Sequence, residues 1–125
     1  MKKVSVIIPC YNQSEYIEEA ILSVVNQTYP NIEIICIDDC SSDNSAQIIK
    51  SLVEQYKNIV FLSNIENVGV VKSRNKAVEV STGQYILPLD GDDIISESYI
   101  EKAVNILEEK PDIGICYCRA CFIGE

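Results

Sequence analysis

Apolar positions along this chain follow two alternating patterns. Nearly unbroken apolar runs, rich in β-branched residues, occur at 4–8, 32–37, 59–62, 84–89 and 113–117. Runs of that length, stopped by Pro9, Asp38-Asp39 and Asp90-Gly91, predict strands buried on both faces. Between them apolar residues recur at helical spacing: Ile17, Ala20, Ile21, Val24 and Val25, then Ala46, Ile49, Leu52, Val53 and Tyr56. A third helix is predicted over 68–80, and a fourth carries Ile100, Ala103, Val104 and Leu107. Ser14, the segment Ser41-Ser42-Asp43 and Ser96 stand where N-caps are expected. Tyr29-Pro30-Asn31, Ser81-Thr82-Gly83 and Pro111-Asp112 follow helices as breakers. The order β-α-β-α-β-α-β-α-β predicts a three-layer, Rossmann-like α/β fold, its mostly parallel sheet covered by helices on both faces. No repeat or low-complexity stretch divides the chain, so residues 1–125 read as one domain.

Composition narrows the function. With 47% hydrophobic and 23% charged residues, the 125-residue chain has the make-up of a packed domain rather than a disordered one. Nineteen acidic residues against ten basic give a net charge of −9. That sign opposes nonspecific binding to nucleic acid or anionic lipid. No apolar run approaches the roughly 20 residues that span a bilayer. The stretch from Val4 to Pro9, behind two lysines, is too short for a signal peptide. The expected location is therefore the cytoplasm. Six cysteines lie at 10, 36, 40, 116, 118 and 121. They are expected to be reduced and to serve as small buried hydrophobes. Cys118-x-x-Cys121 and Cys36-x-x-x-Cys40 have spacings that zinc sites use. The chain has no histidine, however, and neither pair sits in a glycine-rich knuckle, so structural zinc is not expected.

In open parallel sheets ligands bind beyond the carboxyl ends of the strands. Here those ends carry Cys10-Tyr11-Asn12, Asp38-Asp39-Cys40-Ser41, Asn64 to Asn67 and Asp90-Gly91-Asp92-Asp93. Five aspartates thus collect at one edge, which costs free energy through repulsion unless a cation or donor offsets it. The chain lacks the Gly-x-Gly-x-x-Gly dinucleotide fingerprint and the Gly-x-x-x-x-Gly-Lys phosphate loop. Without histidine it has no Ser-His-Asp or Cys-His apparatus. Carboxylates with a divalent cation remain as a way for an acidic edge to hold a phosphorylated ligand. The bland readings are that the paired aspartates stop strands and that Asp90-Gly-Asp-Asp is a plain turn.

Four segments together resemble the ordered motifs of family 2 glycosyltransferases: Val-Ser-Val-Ile-Ile-Pro-Cys-Tyr-Asn (4–12), Ile-Asp-Asp-Cys-Ser-Ser-Asp (37–43), Asn-Val-Gly-Val-Val-Lys-Ser-Arg-Asn (67–75) and Leu-Asp-Gly-Asp-Asp (89–93). The likeness runs from residue 4 to about 118. It implies the GT-A fold and transfer of a sugar, with inversion, from a nucleotide-diphosphate sugar, usually a UDP-sugar, to a polysaccharide, lipid or protein glycan. It implies that Pro9, Tyr11 and Asn12 line the nucleotide pocket, Tyr11 offering its ring to the base. Asp38 or Asp39, with Asp39 favoured, would accept the imide N–H of uracil. Arg74 would flank the nucleotide. Asp90 would serve the ribose side and the metal, Asp92 the Mn²⁺ or Mg²⁺, and Asp93 would support the metal from behind. Gly91 would let the backbone approach the diphosphate. Cys40 replaces the glycine common at its position in the family.

The family's general base lies in a later acidic motif that this chain does not show. No catalytic residue is therefore expected within 1–125, the general base being expected beyond residue 125. The chain reads as the donor- and metal-binding half of a longer transferase, inactive in transfer by itself. The full-length protein is expected in the cytoplasm, peripheral at the inner face of the membrane, and the isolated half is expected to self-associate. The alternative of a different class is a non-catalytic nucleotide-binding or interaction module that keeps the fold.

Overall fold

The computed structural model describes residues 1–110, 112 and 114. Four strands and four helices alternate among them. They are β1 (Val4–Cys10), α1 (Ile17–Val25), β2 (Ile32–Asp38), α2 (Ser45–Gln55), β3 (Ile59–Ser63), α3 (Val70–Val80), β4 (Tyr85–Pro88) and α4 (Tyr99–Glu109). All pairings are parallel, in the order β3-β2-β1-β4. Val4 lies opposite Ile32 on one side and Tyr85 on the other, and Cys10 lies opposite Asp38. The expected fifth strand at 113–117 falls outside the described residues.

The strand order explains the apolar runs. Flanked by strands on both edges and helices on both faces, β1 is buried at all seven positions. Val4, Val6, Ile8 and Cys10 point into a large core that α1, α2 and α4 complete with Ile17, Ile21, Ile49, Leu52, Ile100 and Val104. Ile7, Ile35 and Ile37 face the opposite side, where Ala77 of α3 packs on them. The small buried residues Ser73 and Ala77 let α3 lie close against β1 and β2. A fully buried isoleucine contributes roughly 1.5–3 kcal/mol, so this double-sided β1–β2 core holds the sheet. β3 and β4 are only partly buried. Glu33, the polar break in the second apolar run, accepts from Ser5 Oγ at 2.5 Å and from the Thr82 N–H at 2.6 Å. It thereby ties the α3–β4 turn to the edge of the sheet away from the strands' carboxyl ends.

Two caps differ from expectation. Ser14 does not cap α1: Tyr16 holds the N-cap position, and the Ser14 N–H donates to Asp43 Oδ2 at 3.1 Å. Ser14 lies two residues before that N-cap, its N–H held by a carboxylate 29 residues away in the sequence. α4 starts after Ser98, and Ser96 contributes its carbonyl oxygen to the Tyr99 N–H. In α2, Asp43 from the expected segment accepts from both Ser45 N–H and Ser45 Oγ, at 2.9 and 2.6 Å. No helix among the described residues is long and apolar enough to cross a membrane.

Asn12 and Cys40 have positive φ, at 51° and 62°. Asparagine tolerates this region because its short amide bonds locally, whereas other side chains cost about 1–2 kcal/mol there. Replacing Cys40 with glycine is expected to stabilise the fold by about 0.5–1 kcal/mol, glycine's greater unfolded-state freedom taking back part of the gain. The urea midpoint should rise. A fall would mean that the 3.5 Å contact of Cys40 Sγ with the Ile65 carbonyl matters more than the backbone strain.

Candidate functional site

The chain runs from β1 outward through β2 to β3, then returns to place β4 on the other side of β1. The direction of travel across the sheet thus reverses at β1, and open α/β sheets bind ligands beyond the carboxyl ends of the strands at such a point. A cleft of about 280 Å³ lies there. Pro9, Cys10, Tyr11 and Gln13 line it from the β1 loop, and Asp39 from the β2 loop. Val70, Ser73 and Arg74 line it from α3, and Asp90 and Asp92 from the β4 loop. Tyr11 is 49% exposed, so its ring is free to meet a ligand.

Asp39 is buried and holds the start of α3. Its Oδ1 accepts from Val68 N–H at 2.8 Å and Asn64 Nδ2 at 2.9 Å, and its Oδ2 accepts from Gly69 N–H at 2.8 Å. Gly69 has φ +95°, a conformation that suits glycine and turns both backbone donors toward one carboxylate. The anion at the N-terminus of α3 is also favoured by the helix dipole. Burial would raise the Asp39 pKa. The Val68 N–H, the Asn64 amide, the Gly69 N–H and the Lys76 charge outweigh it and hold the carboxyl below its ordinary value. Oδ2 keeps a free acceptor site, because an ionised carboxylate offers about four lone-pair positions.

Three of the expected site residues sit elsewhere. Asp38 is turned away from the cleft and closes the β2–α2 turn, accepting from Ser41 N–H at 3.0 Å and Ser41 Oγ at 2.5 Å. Asn12 Oδ1 accepts from Ser42 N–H at 2.8 Å and reaches Asp43 N–H at 3.3 Å, so this side chain clamps the same turn to the β1 loop. Gly91 packs closely against the β1 loop and the start of α1. A Cβ there would strike Gln13 Oε1 and come within 3.1 Å of Ile17 Cδ1 and the Pro9 carbonyl. The missing side chain lets the Asp90–Asp93 turn sit down on α1.

The acidic loop forms a cluster. One carboxylate oxygen from each of Asp90, Asp92 and Asp93 lies within 4.8 Å of the others. Burial, then the charges of Asp92 and Asp90, push the Asp93 carboxyl above its usual value. Hard oxygen donors at this spacing suit Mn²⁺ or Mg²⁺, whose ligands lie at most about 4 Å apart across the ion. Arg74 Nη2 donates to Asp90 Oδ1 at 2.6 Å and offsets part of the cluster's charge.

Cleft residues Cys10, Gln13, Val70 and Ser73 were not singled out by sequence. Gln13 follows the first motif directly and Ser73 precedes Arg74, but adjacency alone does not say which side chains face a ligand. Asn64 was placed at a strand end without a role. Burial pushes the Cys10 thiol up to about 11 and raises Cys36 further, so both are unreactive, whereas Cys40 is exposed. Cys116, Cys118 and Cys121 lie outside the described residues.

The same hydrogen bonds predict an acid transition. Asp43, like Asp39, is held below its ordinary value: burial opposes this, but the Ser45 hydroxyl, the Ser45 N–H and the Ser14 N–H bring it to about 2. A carboxylate with a depressed folded-state pKa stabilises the fold above its unfolded value and loses that contribution as protons bind to it. Stability is therefore expected to hold above about pH 4 and to fall from there toward pH 2. Urea midpoints measured between pH 6 and pH 2 check this, and a flat profile below pH 4 would contradict it.

Residues 5–125 match the glycosyl transferase family 2 domain. An uncharacterised glycosyltransferase of Haemophilus influenzae is 41% identical over 110 residues, which cover 88% of this chain and 34% of that protein. Among solved structures, S. aureus TarS 1–349 in complex with UDP-GlcNAc superposes with a TM-score of 0.80 at 33% identity, covering 86% of this chain and 31% of that one. The mannosyltransferase PcManGT from Pyrobaculum calidifontis, in complex with GDP-Man and Mn²⁺, gives a TM-score of 0.80 at 25% identity, covering 85% and 32%. The chain thus spans about a third of the length of these relatives.

Proposed function

Because the chain belongs to glycosyl transferase family 2, we propose that it is the donor-binding part of a transferase that moves sugar from a UDP-sugar to a hydroxyl of a glycan or lipid acceptor, with inversion. One observation carries the reading: Pro9, Tyr11, Asp39, Arg74, Asp90 and Asp92, from four separate segments, line a single cleft at the switch point of the sheet. The relatives solved with UDP-GlcNAc and with GDP-Man and Mn²⁺ support it.

The resemblance and the cleft's lining support the following roles. Tyr11 stacks its exposed ring on the base, with Pro9 as the wall beside it. Asp39 accepts an imide N–H on the free site of Oδ2, which favours uracil over bases that present only an acceptor there. Arg74 faces the diphosphate. Asp90 and Asp92, joined by Asp93, hold Mn²⁺ or Mg²⁺; when bound, the ion supplies positive charge to the diphosphate and to the departing nucleotide. Asn12, Asp38 and Gly91 act from behind by shaping the β1 and β4 loops. The general base is supplied from outside this chain. Transfer needs that base and a positioned acceptor, so the 125-residue chain binds donor without transferring sugar.

Calorimetry with UDP, GDP and ADP, in Mn²⁺ and in EDTA, tests the reading. UDP is expected to bind only with Mn²⁺ and more tightly than ADP. Equal UDP affinity in EDTA, or no nucleotide binding, would overturn it. Robust sugar transfer by this chain would show that the base lies within it.

A further inference from the structure

We propose that Arg74 is a movable counter-cation: it neutralises Asp90 while the acidic cluster carries no metal, and it passes to the donor's diphosphate once Asp90 is engaged by a divalent ion. The inference rests on the donor-site reading and deepens it by coupling the two ligands through one side chain.

The first support is that Asp90 has two claimants. Its Oδ1 accepts from Arg74 Nη2 at 2.6 Å, and it is also one of three carboxylates gathered within 4.8 Å. A guanidinium this close lowers the cluster's negative potential and so opposes a second cation. The second is that the paired position leaves the arginine incompletely satisfied. Arg74 Nε is shut off from solvent and has no acceptor among the described residues. An orphaned buried donor carries its full desolvation cost. Attraction to Asp90 therefore holds the side chain here, without a matching set of acceptors around it.

The third is access. The two side chains are 38% and 47% exposed and lie on the wall of the cleft, so the pair is not a buried structural bridge. When a divalent ion shares Asp90, the attraction that holds Arg74 weakens while the cost at Nε remains. A diphosphate then offers the guanidinium oxygens that it can grip with two parallel bonds. Arg74 consequently works against the metal before the nucleotide arrives and for the nucleotide afterwards.

That reversal of sign separates the proposal from a merely structural role, which would weaken both ligands alike. Mn²⁺ binding without nucleotide is read by electron paramagnetic resonance, and UDP binding in saturating Mn²⁺ by calorimetry, on the unchanged chain and on Arg74→Met, Arg74→Lys and Lys72→Met. Arg74→Met is expected to bind Mn²⁺ alone about three- to tenfold more tightly and UDP at least about tenfold more weakly. Arg74→Lys keeps the charge without the fork, so Mn²⁺ affinity should stay near that of the unchanged chain while UDP affinity falls. Lys72→Met removes an exposed charge elsewhere on α3 and should alter either affinity by less than about twofold. Should Arg74→Met fail to fold by circular dichroism, Arg74→Gln carries the same expectations. Mn²⁺ affinity that is unchanged or weaker without the arginine charge overturns this inference alone. Absence of both Mn²⁺ and UDP binding in the unchanged chain overturns the donor-site reading and this inference with it.

Discussion

Asp39→Ala is expected to cost the fold about 3 kcal/mol and to abolish UDP binding in the same step. The substitution strips the acceptor from three donors at once: Val68 N–H, Gly69 N–H and Asn64 Nδ2. A buried donor left without a partner costs roughly 1–3 kcal/mol, and water entering the gap recovers part of the sum. The damage should spread, because α3 carries Ser73 and Arg74 into the cleft and its start is seated on this carboxylate. Asp39→Asn keeps one acceptor oxygen but turns an amide donor toward another donor. It should lose less stability than alanine and still bind UDP poorly. Urea unfolding and calorimetry separate the two effects. An Asp39→Ala chain as stable as the parent would show that these bonds do not hold α3.

Asp92→Ala should do the opposite: leave the fold alone and remove the metal. Asp92 is exposed, and its charge is one of those that raise the Asp93 carboxyl. Removing it relieves like-charge repulsion and breaks no packing, so the urea midpoint should be unchanged or slightly higher. Metal affinity should fall by at least about 100-fold, more than the 10- to 100-fold typical of residues that only support a ligand. With it should go the whole difference between UDP binding in Mn²⁺ and in EDTA. Metal-dependent UDP binding that survives this substitution would place the ion elsewhere. The contrast between the two variants, one losing stability and the α3 anchor and one losing the ion, tests whether the cleft has separate base and metal ends.

The acidic groups at 38–39 and 90–93 look alike in the sequence, and the structure gives them different surroundings. Asp38 and Asp39 are both buried and both bonded to backbone N–H groups. Asp92 and Asp93 are exposed and Asp90 is half-buried beside Arg74, and the three carboxylates lie within 4.8 Å of one another. Burial with donors makes a carboxylate a structural anchor, whereas exposure beside like charges raises its cost of ionising until a cation offsets it.

Periodicity and turn chemistry determined the elements. β-branched runs and helical spacing located four strands and four helices among the described residues, because burial on two faces or on one stripe writes itself into local sequence. The four motifs, at strand ends or a helix start, marked the edge on which the cleft lies. Their likeness to family 2 glycosyltransferases pointed to nucleotide-sugar chemistry, and the match over residues 5–125 agrees. Contacts between distant segments were decided only by the tertiary structure. The order β3-β2-β1-β4 sets the loop after β1 against the loop after β4, so Gln13 occupies the space that a side chain at Gly91 would need. It also brings Asn12 to Ser42, Asp43 to Ser14, and Arg74 to Asp90, pairs 16–30 residues apart. A polar side chain at a strand end can bond its own turn, a neighbouring loop or a ligand at similar cost. Which of these it meets depends on strand order and loop approach, and these are properties of the packed sheet that no local pattern encodes.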